Sequence, residues 1–249
     1  MRATKIHIGT SGWSYQHWRD IFYPSDLAAT SYLSFFASRF SVAEINTSFY
    51  HLPRPETVKN WASTVPKDFL FCPKISRYIT HIKKLHDPED TLPKFFDVFE
   101  PVRRRLGPVL IQLPEAVRYH ENIARPFFAT LVKKYPKYRF ALEVRHASWL
   151  TEEALAILRK YHISLVIAES GDRWPYSETI TGKDVYLRFH GPDGSYASSY
   201  SGKALHKYAR KCIDWATAGH TVWVFFNNDI NGYALKNAAT LRDLIAAGR

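Results

Sequence analysis

Apolar residues gather in eight short runs, each closing on polar or charged residues. They occupy positions 6–9, 42–46, 69–74, 108–112, 140–144, 163–168, 185–189 and 221–226. Most of these runs are nearly continuous, as expected of parallel strands covered on both faces. Between most of them the apolar spacing changes to that of an amphipathic helix. Leu33, Phe36, Ala37 and Phe40 follow Thr30, which reads as an N-cap. Leu155, Leu158 and Tyr161 follow Thr151, with Glu152 and Glu153 placed in the first turn. A third helix starts at Lys203 and aligns Leu205, Tyr208, Cys212 and Trp215. Eight strands alternating with helices predict an α/β fold, a (β/α)8 TIM barrel. No linker or shift in composition divides the chain, so positions 1–249 read as one domain. Between the sixth and seventh strands, positions 171–182 leave no room for a full helix, so that helix is short or missing. A doubly wound open sheet is the competing architecture, but no Gly-rich nucleotide fingerprint accompanies the strands.

Two runs carry charge inside them. In a strand, Glu143 and Arg145 share one face, as do Arg188 and His190. A buried charge costs several kcal/mol unless it is paired or used, so these positions need a reason. In a TIM barrel the working face is the C-terminal end of the strands. The polar residues falling there are Glu44, Asn46, Lys74, Gln112, Glu143, Arg145, Arg188, His190 and Asn227. Trp223 and Phe225 lie deeper on the face of Asn227 and predict an apolar floor. Glu143, His190 and Glu44 are the candidate catalytic groups, with Glu143 and His190 as base and acid. Lys74, Arg145, Arg188, Asn46, Gln112 and Asn227 are candidates for binding substrate. The alternative is an internal ion-pair network with a purely structural role. Three cations, Lys74, Arg145 and Arg188, against Glu44 and Glu143 leave a neutral-to-positive site that a small carboxylate or phosphate would balance. The turns Gly191-Pro-Asp-Gly-Ser195 and Asn227-Asn-Asp-Ile-Asn-Gly232 suit a phosphate site at a helix start.

No metal is expected. Cations are interleaved with the candidate ligands, and the 11 histidines show no HxH or HExxH spacing. No cofactor is implied either. Gln112 and His190 stand where common barrel glycosidases place their two carboxylates, which gives that chemistry little weight. His7, opposite in parity to Ile6 and Ile8, reads as hydrogen-bonded structure. Aromatic residues concentrate after the first strand, where Trp13 and Tyr15 are candidates for contacting substrate and Tyr15 and Trp18 can equally form a small core over the rim.

An apolar content of 46% supports a sizeable core, and no stretch is long enough to span a bilayer. Met1-Arg-Ala-Thr-Lys5 leads directly into a strand without a signal-type apolar segment. A soluble, cytoplasmic protein is expected, with Cys72 and Cys212 as buried thiols. The formal charge of +11 permits nucleic acid as a partner. Yet the clusters at Lys83-Lys84, Arg103-Arg104-Arg105, Lys133-Lys134 and 137–139 each lie near a helix end or in a loop before a strand, where cations suit the helix dipole.

Several motifs resemble one family in order. They are Gly9-Thr-Ser-Gly-Trp13, Glu44-Ile-Asn-Thr-Ser-Phe-Tyr50, Thr80-His81 after Lys74, and Leu110-Ile-Gln-Leu-Pro114. Glu143-Val-Arg-His146, Tyr186-Leu-Arg-Phe-His-Gly191 and Phe226-Asn-Asn-Asp229 continue the match. Over almost its whole length the chain resembles the DUF72, or YecE-like, family. The resemblance implies a TIM-type barrel and supplies no reaction. A distant likeness of that family to endonuclease IV-type barrels implies nucleic-acid or phosphate chemistry, but the metal-ligand set of such nucleases is not evident. Three functions follow: a metal-independent enzyme for a small anionic substrate, a nucleic-acid-binding or processing barrel, and a ligand-binding protein without turnover.

Overall fold

The computed structural model describes residues 6–248; Met1 to Lys5, whose leader-free reading was noted above, lie outside them. Eight strands are present: β1 (Ile6–Thr10), β2 (Val42–Ile45), β3 (Leu70–Pro73), β4 (Val109–Gln112), β5 (Phe140–Glu143), β6 (Ser164–Glu169), β7 (Asp184–Phe189) and β8 (Thr221–Phe226). All neighbouring strands run parallel, in the order β3-β2-β1-β8-β7-β6-β5-β4. The remaining seam, β3 against β4, is closed by Ile75 N–H donating to Leu110 O and Gly107 N–H donating to Phe71 O, both at 2.8 Å. The result is a TIM barrel.

The helices are α1 (Tyr32–Ala37), α2 (Thr47–Tyr50), α3 (Pro55–Thr64), α4 (Pro88–Thr91), α5 (Pro93–Phe99), α6 (Glu121–Lys134), α7 (Glu152–Lys160), α8 (Gly202–Thr217) and α9 (Tyr233–Ala247). No helix separates β6 from β7, as the spacing predicts. Thr151 caps α7 by accepting from Ala154 N. The start of α1 differs from expectation. A 3-10 turn, Ala29–Ser31, precedes it, and Ser31 rather than Thr30 holds the N-cap position without a side-chain cap bond. Phe40 lies beyond the helix end but is still buried. Among the described residues no helix is long and apolar enough to cross a membrane.

Strand parity sorts the side chains into two layers. Outward residues such as Ile8, Ile45, Phe71, Ile111, Leu142, Leu187 and Val224 join the large core beneath the helices. Inward residues Val42, Cys72, Leu110, Ala141, Val166, Tyr186, Trp223 and Phe225 fill the barrel. Gly9 admits the close approach of β2, since a Cβ there would lie 2.1 Å from Val42 O. At the N-terminal end of the strands, Trp223 donates to Asp184 Oδ1 at 2.8 Å, and Arg139 Nη1 pairs with the same oxygen at 2.8 Å. His7 stacks on Trp223 with centroids 4.2 Å apart, so stacking is the contact that seats this ring. Burial and the nearby Arg139 push its imidazole down to about 4.

Candidate functional site

Above the apolar floor, the next inward layer is ionic. Arg188, from the end of β7, is 1% exposed, and both Glu44 and Glu143 are fully buried. Its Nε and Nη2 grip Glu44 at 2.9 and 3.0 Å, and Nη1 donates to Glu143 Oε2 at 2.5 Å. Such a forked guanidinium contact fits carboxylates better than a point charge does. Two hydroxyls complete Glu44: Ser11 Oγ donates to Oε2 at 2.5 Å and Tyr186 OH to Oε1 at 2.8 Å. Burial disfavours the charge on Arg188, but Glu143 and Glu44 outweigh it and hold the guanidinium above its usual range. Burial likewise works against the Glu143 carboxylate, yet Arg188 and His190 hold it well below the usual range. Glu143 therefore remains ionised and is a poor general base.

Nearer the mouth the groups are less fully partnered. Arg145 reaches Glu143 Oε1 only at 3.4 Å, is partly exposed, and lies 3.7 Å over the Trp174 ring. Lys74 is buried beside these cations, and no ion pair to it occurs among the described residues. Its ammonium rests 3.9 Å over Phe49, and burial, with Arg188 next, pushes its pKa down to about 7. His190 is fully buried. Asn227 Nδ2 lies 3.2 Å from its Nδ1, which fits donation to an unprotonated Nδ1 and places the ring proton on Nε2. Nε2 is 3.5 Å from Glu143 Oε1 and has no hydrogen-bond partner. Burial holds His190 below its ordinary pKa despite Glu143, so the ring is neutral at pH 7. Gln112 donates to Leu113 O at 2.7 Å.

The other two predicted residues and Asn46 border a neighbouring cleft. Trp13, Tyr15, Asn46, Tyr50 and Trp61 line a space of about 680 Å³ between the loop after β1 and α3, with Glu44 at its inner side. Trp13 packs edge-on against Trp61 at 5.4 Å, while Tyr15 donates to Ser11 O at 2.6 Å. Asn46 Nδ2 also donates to Ser11 O, at 3.1 Å, and leaves its buried Oδ1 without a partner. Gly12, with φ of +112°, makes the sharp turn that lays Tyr15 back over the strand ends. Trp18 is fully buried and its Nε1 donates to Asp229 O at 3.1 Å, so it belongs to the rim core.

The strand-end list thus separates into a central cluster (Lys74, Gln112, Glu143, Arg145, Arg188, His190, Asn227) and a side cleft (Trp13, Tyr15, Asn46), with Glu44 between them. One of the two turns expected to suit a phosphate is filled from within. Asp193 fills its own turn, accepting from Ser195 N and Oγ and from Ser198 Oγ at 2.9, 2.7 and 2.5 Å. Those bonds hold Asp193 at about 2, so a carboxylate already takes the donors that a phosphate would need. Trp174 and Phe49 escaped the reading of strand ends. Trp174 comes from the helix-free β6–β7 segment, donates to Glu115 Oε1 at 2.7 Å, and meets His190 edge-on at 5.2 Å. Among the described residues no three His, Cys, Asp or Glu side chains gather as a metal-ligand set.

The family model described as "Protein of unknown function DUF72" matches residues 7–249. The UPF0759 protein YecE of Escherichia coli (strain K12) is 31% identical over 183 residues, which are 70% of this chain and 64% of that protein. The UPF0759 protein YunF of Bacillus subtilis (strain 168) is 25% identical over 271 residues, covering 96% and 94% of the two chains. The crystal structure of a DUF72 family protein from Thermotoga maritima MSB8 superposes with a TM-score of 0.87 at 27% identity, covering 97% of this chain and 99% of that one. A DUF72 family protein from Enterococcus faecalis, at 20% identity and a TM-score of 0.81, shares the fold.

Proposed function

The chain belongs to the DUF72 family, whose description attaches no reaction to the barrel, and we propose that the strand-end cluster is a metal-independent site for a small molecule bearing a carboxylate or phosphate. The observation that carries this reading is Lys74, a buried cation with no carboxylate partner among the described residues. Arg188, Arg145 and a protonated Lys74 face Glu44 and Glu143, leaving one positive charge in excess. A buried surplus charge is costly, and a bound anion relieves that cost.

In this reading Arg188 is the positioning residue. Its donors are spent on Glu44, Glu143 and Ser11, and it fixes both carboxylates from across the barrel. Arg145, its plane held against Trp174, and Lys74 receive the anionic group. Asn46, Gln112 and Asn227 supply neutral polar walls, and Trp13 and Tyr15 border the space for the rest of the ligand. His190, neutral and with an unpartnered Nε2 that lies 3.5 Å from Glu143 Oε1, is the group suited to proton transfer, and Glu44 anchors Arg188. The nucleic-acid reading has less support. Arg103, Lys134 and Lys137 border one cleft, and Arg139, Lys160 and Lys183 border another beside the start of β7, the end of the barrel opposite this cluster.

Calorimetric titration with oxalate and with inorganic phosphate, at pH 7, low salt and excess chelator, tests the proposal. Saturable binding that Arg145→Met abolishes and chelator leaves intact is expected. Binding that appears only after a divalent ion is added overturns the metal-independent reading. Steep, salt-sensitive binding of RNA or DNA without binding of small anions favours the alternative.

A further inference from the structure

We infer that Lys74 is a nucleophile that forms a Schiff base with the carbonyl carbon of a small oxo acid, the acid's carboxylate lying on Arg145. This rests on the proposed anion site and names the substrate class of that site. Three features of the geometry lead to it. Lys74 follows β3 at the strand ends of the barrel, and Lys74 N–H donates to Ile45 O at 3.0 Å, so the backbone carrying it is held in the barrel wall. Lys74 is 9% exposed, its amine lies 3.9 Å over Phe49, and among the described residues it makes none of the ion pairs that engage every other charged residue of the cluster. A lysine serving only as a structural cation would be expected on Glu44 or Glu143. Instead Arg188 and Arg145 occupy those carboxylates, and the two guanidinium groups disfavour an ammonium at Lys74. Burial against an aromatic ring and beside two guanidinium groups is a setting that releases a lysine lone pair near neutral pH.

The step balances without a further reactant. The Nζ lone pair attacks the carbonyl carbon, a C–N bond forms, and the C–O π electrons move to oxygen. Both amine protons end on that oxygen, which leaves as water, and a C=N bond remains. His190 Nε2, the buried unpartnered nitrogen of the cluster, is the group suited to relaying one of those protons. Taking up one further proton from water on its nitrogen, the neutral imine becomes a cationic electron sink for bond changes at the neighbouring carbon.

The probe is glyoxylate, a carboxylate-bearing aldehyde, with sodium cyanoborohydride added to the full-length protein at pH 7 to fix any imine as a stable amine. Acetaldehyde is the matched probe lacking the anion. At pH 7 about half of Lys74 is free amine, against well under one in a thousand for an exposed lysine of ordinary pKa. Peptide mass spectrometry should therefore find the glyoxylate adduct on Lys74 at least about tenfold above any surface lysine. The preference for glyoxylate over acetaldehyde should disappear in Arg145→Met. Lys74→Arg should remove the adduct and retain the fold. Adducts spread evenly over surface lysines, or an unlabelled Lys74, overturn the inference. If oxalate still binds while Lys74 stays unlabelled, only the nucleophile assignment fails; if oxalate does not bind either, the anion site fails with it.

Discussion

The barrel holds two buried ionic clusters, one at each end, and they are built to opposite rules. At the N-terminal end one acid meets one base: Asp184 takes Arg139 and the Trp223 N–H on the same oxygen, and Arg139 stays half in water. At the C-terminal end three cations meet two carboxylates, and the surplus falls on Lys74. The lower cluster closes the barrel with its polar groups satisfied. Among the described residues the upper one leaves His190 Nε2 buried without a partner, and Asn46 Oδ1 in the adjoining cleft is likewise unpartnered. Buried polar groups are nearly always satisfied, so an orphaned imidazole nitrogen at this end of the barrel supports the proposed anion site.

The comparison can be broken most forcefully at Arg188. Arg188→Met leaves Glu44 and Glu143 buried without their main partner, and denaturant unfolding should show a loss of roughly 3–5 kcal/mol. A loss below about 1 kcal/mol would mean that the two carboxylates are solvated and that the cluster is not a buried network.

Lys74→Met should act in the opposite direction. The lysine pKa is lowered on folding from 10.5 to about 7, so the folded state resists a proton that the unfolded chain accepts. The penalty is complete below pH 7 and vanishes as pH rises to 10.5. The variant should be more stable than the parent at pH 6, by on the order of a few kcal/mol, with the difference shrinking between pH 7 and 10.5. A pH-independent difference between the two proteins would refute the buried, unpaired ammonium.

The lower cluster should respond more mildly. Asp184→Asn retains an acceptor for Trp223, and Arg139 can turn to solvent, so the cost should be about 1–2 kcal/mol, read from the same unfolding curves. His7→Phe should preserve the stack on Trp223 and change stability at pH 7 by less than about 1 kcal/mol. The unfolded histidine takes up a proton below pH 6.5, whereas the folded one does so only near pH 4. Wild-type stability at this site is therefore lost as pH falls through that window, and the variant should be spared that share of the loss. Parallel pH profiles for the two proteins would show that His7 is not buried in neutral form.

Much of the upper cluster was legible because strand parity is strict. Once β5 and β7 are strands, Glu143 and Arg188 face inward, and the same alternation carried past the strand ends puts Arg145 and His190 beside them. Tyr186 was legible on the same rule, two residues before Arg188, but an aromatic inside an apolar run reads as core until its hydroxyl is seen on Glu44. Trp174 was not legible. It lies in a segment without helix or strand period, and only the fold of that loop brings its ring against Arg145. Which carboxylate each cation takes was also beyond reach. That choice depends on distances across the barrel, and it decides that Arg188 is enclosed while Lys74 stays unpaired. The Asp193 turn shows the same limit, since its glycines suit a phosphate until the aspartate side chain occupies the donors.

The central claim, that the upper cluster is an open anion site and the lower one a closed plug, is tested most directly by oxalate calorimetry on three proteins side by side. The parent and Asp184→Asn should bind alike, while Lys74→Met should bind at least about tenfold more weakly, the loss expected for removing one buried charge partner worth 1.4 kcal/mol or more. Equal binding by all three proteins, or weaker binding in Asp184→Asn alone, would contradict it.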